Sequence, residues 1–186
     1  MKKVFALLAL TALTLSASAQ TTKQHTTGYG AGIAEITWVN GQAALNLGGY
    51  GGVLVNHKFM FGASGNNIFF KQTVNGKKES FQLNYYGLYS EYRFKPANPV
   101  HMSVGLIGAL GWQENDVLTA QKTRRKDGDY TFVLQPKLAV NTKITKWMQV
   151  QAYGSYRFTG NTKSTYYAKS NYNGAAAGVS LVFGGF

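Results

Sequence analysis

Eight stretches of this chain alternate apolar and polar side chains with a period of two, a pattern that strands satisfy and helices do not. They span approximately residues 28–39, 42–55, 58–70, 81–94, 101–112, 129–141, 147–158 and 174–183. In 129–141, Tyr130, Phe132, Leu134, Leu138 and Val140 share one face with Pro136, while Thr131, Gln135, Lys137 and Asn141 share the other. Segment 147–158 sets Met148, Val150, Ala152, Tyr156 and Phe158 against Gln149, Gln151, Ser155 and Arg157, and segment 101–112 groups Met102, Val104, Leu106, Leu110 and Trp112. No heptad or long stripe of period 3.6 competes with this pattern, and a composition of 22 Gly, 12 Tyr and 11 Phe favours sheet.

The last stretch, Gly178-Val179-Ser180-Leu181-Val182-Phe183-Gly184-Gly185-Phe186, carries its alternation almost to the end of the sequence, with Val179, Leu181 and Phe183 on one face. An apolar strand in that place needs a partner. A closed barrel, whose last strand pairs with its first, supplies one without leaving a free edge. The expected fold is therefore all-β, an eight-stranded antiparallel up-and-down barrel closed by pairing 28–39 with 174–183. The ending resembles the closing strand of Gram-negative outer-membrane barrels, which commonly finish on Phe. The Gly184-Gly185 step puts Phe186 out of phase with Phe183.

The connections sort into two kinds. Asn56-His57, Lys95 to Pro99 and Thr142 to Thr145 are short, whereas the Asn40-Gly41 turn, a strong hairpin signal, is followed at its end by longer connections at 71–80, 113–128 and 159–173. Long and short connections alternating along a chain are expected of a transmembrane barrel, with short turns in the periplasm and long loops outside. An even number of strands then places both termini on the periplasmic side.

Targeting agrees with export. Lys2 and Lys3 precede an apolar run from Val4 to Leu15, and Ala17-Ser18-Ala19 stands before Gln20, which reads as a signal peptide over residues 1–19. Residues 20–27 then form a short polar segment, and 28–186 the barrel. Without Lys2 and Lys3 the formal charge falls from +12 to +10. Such a basic export product suits anionic surroundings such as lipopolysaccharide or acidic glycan. Nucleic acid is not an expected partner, because the charges do not lie along one element of an intracellular chain. The absence of Cys excludes disulfides, thiolate metal sites and Cys nucleophiles.

The run Leu47-Gly48-Gly49-Tyr50-Gly51-Gly52-Val53-Leu54-Val55-Asn56-His57-Lys58-Phe59-Met60-Phe61-Gly62 resembles a group of small, largely uncharacterised outer-membrane barrel proteins. Val104-Gly105-Leu106-Ile107-Gly108, Thr145-Lys146-Trp147 and Gly154-Ser155-Tyr156-Arg157-Phe158 share in that resemblance. More distantly, the chain is similar to the OmpX and OmpA transmembrane-domain type. The resemblance covers nearly all of the chain after residue 19, and it implies the barrel and an outer-membrane location. It implies no activity and no catalytic residues.

Charges inside strands carry the remaining information. A Lys or Arg facing lipid at mid-bilayer costs about 2–4 kcal/mol, so Glu35, Glu91, Arg93, Lys137 and Arg157 should face the lumen. Counting from the turns suggests two layers of pairing, Glu35 with Arg157 and Glu91 with Lys137 or Arg93, which would plug the lumen. A structural role fits such pairs because buried charge requires a partner; the alternative is a gated path for protons or small ions. Two irregularities are expected. Pro136 lacks a ladder donor and should cause a bulge or a local break in pairing. In 81–94, Tyr86, Leu88, Tyr92 and Phe94 share one face but Phe81 and Leu83 lie on the other, which a bulge near Tyr85-Tyr86 would reconcile.

Chemistry at the outer rim would need a His beside a Ser. His25, His57 and His101 all fall at the periplasmic end of this topology, so the chain is expected not to be an enzyme, and no cofactor or metal is expected. The most plausible contact surface is a basic extracellular loop with Lys122, Arg124, Arg125 and Lys126, joined by Tyr166, Tyr167 and Tyr172 for stacking on glycan sugars. The expected role is non-enzymatic: a monomeric outer-membrane protein with a structural or surface-interaction role, contacting lipid, lipopolysaccharide and a host or envelope surface partner. A narrow passive channel for a small solute, and a soluble periplasmic barrel with its aromatic faces turned inward on an apolar ligand, are the alternatives.

Overall fold

The computed structural model describes residues 25–39, 41–74, 77–116, 130–160 and 172–186. The expected signal peptide lies outside them. Among the described residues the chain forms eight strands: β1 (Thr26–Val39), β2 (Gln42–Val55), β3 (Phe59–Val74), β4 (Lys77–Arg93), β5 (Val100–Asp116), β6 (Tyr130–Lys143), β7 (Met148–Thr159) and β8 (Gly174–Gly184). Each pairs antiparallel with its neighbour in sequence, and β1 closes the barrel on β8, with Ile33 opposite Ser180 and Thr37 opposite Ala176.

Alternation decides which side chains face which way. Along β6, residues 131, 133, 135, 137, 139 and 141 are buried and those between them exposed, and the same period runs through the other strands. Ile36, Leu47, Phe61, Leu88, Leu106, Leu138, Phe158 and Leu181, one from each strand, are all exposed, Leu88 to 74 %. The aromatic faces therefore look outward, the reverse of what a soluble carrier of an apolar ligand requires. Aromatic pairs mark both edges of this wall: Phe59 packs on Tyr92 near the short turns, and Tyr86 stacks on Trp112 further along.

The 56–58, 94–99 and 144–147 connections gather at one end, called the short-turn end, with the start of β1 and the end of β8, while at the other end β1 joins β2 across 40–41 and β3 joins β4 across 75–76. At 56–58 the turn is tight: Asn56 and His57 both have positive φ (52° and 58°) and Lys58 N donates to Val55 O at 3.0 Å, the geometry of a type I′ hairpin turn. Gly52 and Gly62 face each other across the β2–β3 ladder, where a methyl on either would overlap the opposite backbone. Glycine is required there by close approach.

Two expectations about the ladder need correction. The 71–80 connection is mostly strand, because β3 and β4 stay paired from Phe59 opposite Tyr92 to Val74 opposite Lys77. No bulge occurs near Tyr85-Tyr86 either, since the β3–β4 and β4–β5 registers run through it unbroken. The change of phase in β4 has a different cause. Beyond Tyr86 the outer face turns polar, with Gln82 Nε2 donating to Asn84 Oδ1 at 2.9 Å, while inside Leu83 is buried in one core cluster with Ile68 and Val133. Pro136, by contrast, leaves the local break foreseen for it. The β6–β7 ladder loses its pairs at 135 and 136 and resumes in the same register at Lys137 opposite Ser155.

Candidate functional site

Among the described residues, the lumen is where this fold collects its buried charged side chains. Glu35, Glu91, Arg93, Lys137 and Arg157 are all buried, none above 7 % exposed. They lie on inward phases of five positions in β1, β4, β6 and β7, and the pleat alone sends them inside.

Near the short turns, Glu91 is the centre of a charged layer. Arg93 Nε lies 3.4 Å from Oε1, Lys137 Nζ lies 3.4 Å from Oε2, and Gln151 Nε2 donates to Oε2 at 3.0 Å. Tyr89 OH donates to the same Oε2. Lys137 comes from two strands away. It crosses Gly105, which pairs with Glu91 on one side and with Lys137 on the other, and a Cβ at Gly105 would sit 3.2 Å from Lys137 Cε. The ammonium ends among three rings, with Tyr50 and Tyr89 centroids at 4.7 Å and Tyr153 at 5.0 Å, and donates to Gln151 Oε1 at 2.8 Å. An aromatic cage and a carboxylate together replace the water that a buried ammonium has lost. Gln151 also accepts from Tyr50 OH and Ser180 Oγ and donates to Asn141 Oδ1 at 2.9 Å, so one amide joins four strands.

Further along the barrel, Glu35 forms a second layer by other means. Its carboxylate accepts from Asn46 Nδ2 at 3.0 Å, Gln135 Nε2 at 3.2 Å and Ser155 Oγ at 3.3 Å, and Tyr85 OH braces Gln135 at 2.8 Å. The expected Glu35–Arg157 ion pair is absent among the described residues. Arg157 instead donates Nε to the carbonyl of Tyr172 at 3.0 Å, at the end of the barrel opposite the short turns. The counting from turns placed both residues in one layer, but strand tilt in a closed barrel separates residues at equal distances from their turns.

The remaining candidates divide by location. Lys122, Arg124, Arg125, Lys126, Tyr166 and Tyr167 lie outside the described residues. Tyr172 is described, and it corrects the glycan-stacking expectation: it is 2 % exposed and belongs to the buried cluster with Leu83 and Val133, so its ring cannot stack on a sugar from outside. All three histidines lie at the short-turn end. His25 and His57 stack with centroids 4.7 Å apart, and His101 Nδ1 faces Asn98 O at 3.3 Å. Partial burial, then the neighbouring His25, Lys143 and Arg93, hold the His57 pKa below its ordinary value. Among the described residues no group of three or more His, Cys, Asp or Glu is placed to hold a metal.

Sequence reasoning missed Gln151, Gly105 and the tyrosine cage. Tyr89 shares its strand face with Glu91 and Arg93, and Gln151 its face with Gln149 and Arg157, so the signal was present in the alternation.

A closed eight-stranded antiparallel barrel with an apolar exterior and a packed interior that holds buried charge is the fold of small outer-membrane barrels. Solved structures of such barrels are similar to it in fold along nearly their whole length. Neisserial surface protein A superimposes with a TM-score of 0.67 at 12% sequence identity, over 89% of this chain and 100% of that one. The N-terminal barrel domain of Pseudomonas aeruginosa OprF matches with a TM-score of 0.54 at 10% identity, over 87% and 99%. Ail of Yersinia pestis, solved in complex with the heparin analogue sucrose octasulfate, matches with a TM-score of 0.51 at 9% identity, over 86% and 97%. Neither a protein-family model nor a curated protein matches the sequence.

Proposed function

We propose that this chain is a non-enzymatic outer-membrane protein, exported by the signal peptide at 1–19, that anchors extracellular loops for contact with anionic surfaces. One observation carries the reading: large apolar side chains cover the outer wall on every strand while buried ionised and amide groups share the inside with an apolar and tyrosine cluster. Water would penalise that arrangement and a bilayer rewards it, because transmembrane barrels alternate apolar-out with polar-in. The short-turn end, with both termini, faces the periplasm. The opposite end presents the connections over 117–129 and 161–171, and the basic residues Lys122, Arg124, Arg125 and Lys126 there suit lipopolysaccharide phosphates or acidic glycans. The complex of Ail with a heparin analogue gives that chemistry a parallel within the same fold.

Two experiments test the proposal in order. Membrane fractionation, followed by electrophoresis of unboiled and boiled protein, should give a detergent-requiring band whose mobility changes on boiling; release by salt alone would overturn the membrane assignment. Replacing the four basic residues with Ser should then weaken lipopolysaccharide binding in a salt-dependent manner. Undiminished, salt-insensitive binding would remove the loop from the proposal. A lumen crossed by the Glu91 and Glu35 layers favours a plug over a channel, so Glu91→Gln is expected to leave single-channel conductance near zero.

A further inference from the structure

A cavity of about 330 Å3 lies at the short-turn mouth of the lumen, lined among others by Asn56, His57, Arg93, Lys143, Gln149 and Phe186. No Asp or Glu side chain belongs to its lining. Two of the lining side chains are buried with hydrogen-bonding capacity unspent. Arg93, 1 % exposed, gives Nε to Glu91 and one face to the Phe186 ring at 4.7 Å, and its Nη2 has no partner. Gln149, 0 % exposed, has no partner at either Nε2 or Oε1. A buried polar group left unsatisfied costs about 1–3 kcal/mol, and three such atoms on two residues of one cavity lining point to a partner that is not part of the chain.

We propose that this mouth binds a small organic carboxylate with an apolar body. The carboxylate would accept from Arg93 Nη2 and Gln149 Nε2 with the Lys143 ammonium nearby, and the body would lie on Phe186 beside Pro96 and Ala97. Stacking on Phe186 leaves the in-plane edge of the guanidinium free, the edge that matches a carboxylate. Gln149 Oε1 is an acceptor, which a ligand hydroxyl or amide N–H satisfies and a bare phosphate does not. The volume sits at the small end of the roughly 300–1,000 Å3 range of small-molecule sites, so one acid or the last residue of a peptide fits. The chemistry is shared by a free acid and by a peptide carboxyl end.

The test uses the full barrel in detergent micelles, with the Gln149 side-chain amide resonance as the readout. The probes are 3-phenylpropionate for a free acid, N-acetylphenylalanine for a peptide end, N-acetylphenylalaninamide as the neutral control, and inorganic phosphate. One or both acids should give saturable shifts at about millimolar concentration, in the range expected of a few charge-assisted hydrogen bonds, and the tighter acid identifies the source. The neutral amide and phosphate should not saturate. Lys143→Gln and Gln149→Leu should each weaken the tighter acid about tenfold, with Lys143→Arg restoring it, while unboiled gel mobility reports that each variant folds. Equal binding of the neutral amide, equal or tighter binding of phosphate, or acid binding unaffected by both substitutions would overturn the proposal, as would the absence of any shift by acid at about 50 mM, a level that would leave only negligible affinity.

Discussion

Two carboxylates are buried almost equally deeply in this barrel, Glu35 at 2 % and Glu91 at 3 % exposure, and they are held by opposite means. Glu91 is held by two cations, an amide and a phenol; Glu35 is held by two amides and a hydroxyl. The ionic layer joins two same-strand partners of Glu91, Arg93 and Tyr89, to Lys137 and Gln151, which reach in from β6 and β7, and Lys137 needs a glycine in its path to do so. The dipolar layer combines Asn46, opposite Glu35 in the β1–β2 ladder, with Gln135 and Ser155, which reach in from β6 and β7. An ionic layer is costly to break because one lost partner leaves a bare charge, whereas a dipolar layer loses its bonds one at a time.

The comparison breaks first at Lys137. Lys137→Met leaves Glu91 with Arg93 as its only cation among the described residues, and the loss in unfolding free energy should be about 3–5 kcal/mol, as for other buried pairs deprived of one partner. Adding Glu91→Gln should recover much of it. Urea unfolding of the micelle-reconstituted barrel reads both, and a double variant as unstable as the single one would show that the ion pair is not what the layer depends on. A second, smaller loss is expected at Gly105→Val, about 1–3 kcal/mol from overpacking against Lys137 Cε. Combined with Lys137→Met its cost should largely vanish, because the two residues share one contact. Glu35→Gln should cost least of the three, about 1 kcal/mol, since one oxygen still accepts and the Ser155 hydroxyl can turn to receive the new N–H.

The two layers were legible in the sequence as inward-facing charges, because period two fixes which face each residue occupies. Who meets whom was not. Glu91 with Arg93 is a same-strand, same-face pair and could be read directly, and Lys137 followed from its height above the turn. Glu35 with Arg157 followed from the same counting and proved wrong, because pairing across a tilted, closed sheet depends on a stagger that single-strand counting does not contain. The phase change in β4 teaches the same lesson differently. Phe81 and Leu83 against Tyr86 and Leu88 looked like an inserted residue, yet the ladder is unbroken, and the outer wall becomes polar where the lumen becomes apolar. A reversal of polarity at constant register is what a strand leaving the apolar belt should show. Tyr172, read as exposed because it lies within the 159–173 connection, is covered by the core it closes.

The smallest expected effect separates the layers by acidity. His57 sits in the turn beside the mouth, and burial together with His25, Lys143 and Arg93 holds its pKa below the ordinary 6.5. The unfolded chain therefore binds a proton at His57 before the folded chain does. Stability gained from keeping it neutral is complete above pH 6.5 and is lost as the pH falls through the folded value. Once protonated, His57 adds a positive charge next to Arg93 and Lys143, which loosens the Arg93 side of the ionic layer and leaves Glu35 untouched. Acidification below 6.5 should shift the Gln149 side-chain amide while the Gln135 amide, in the dipolar layer, stays in place. His57→Asn, which tolerates the positive φ of 52–58° in this turn, should remove the shift and flatten the pH dependence of unfolding in the same window. Equal shifts at Gln149 and Gln135, or a shift that survives His57→Asn, would mean that the layers are coupled through the lumen and respond to acid together.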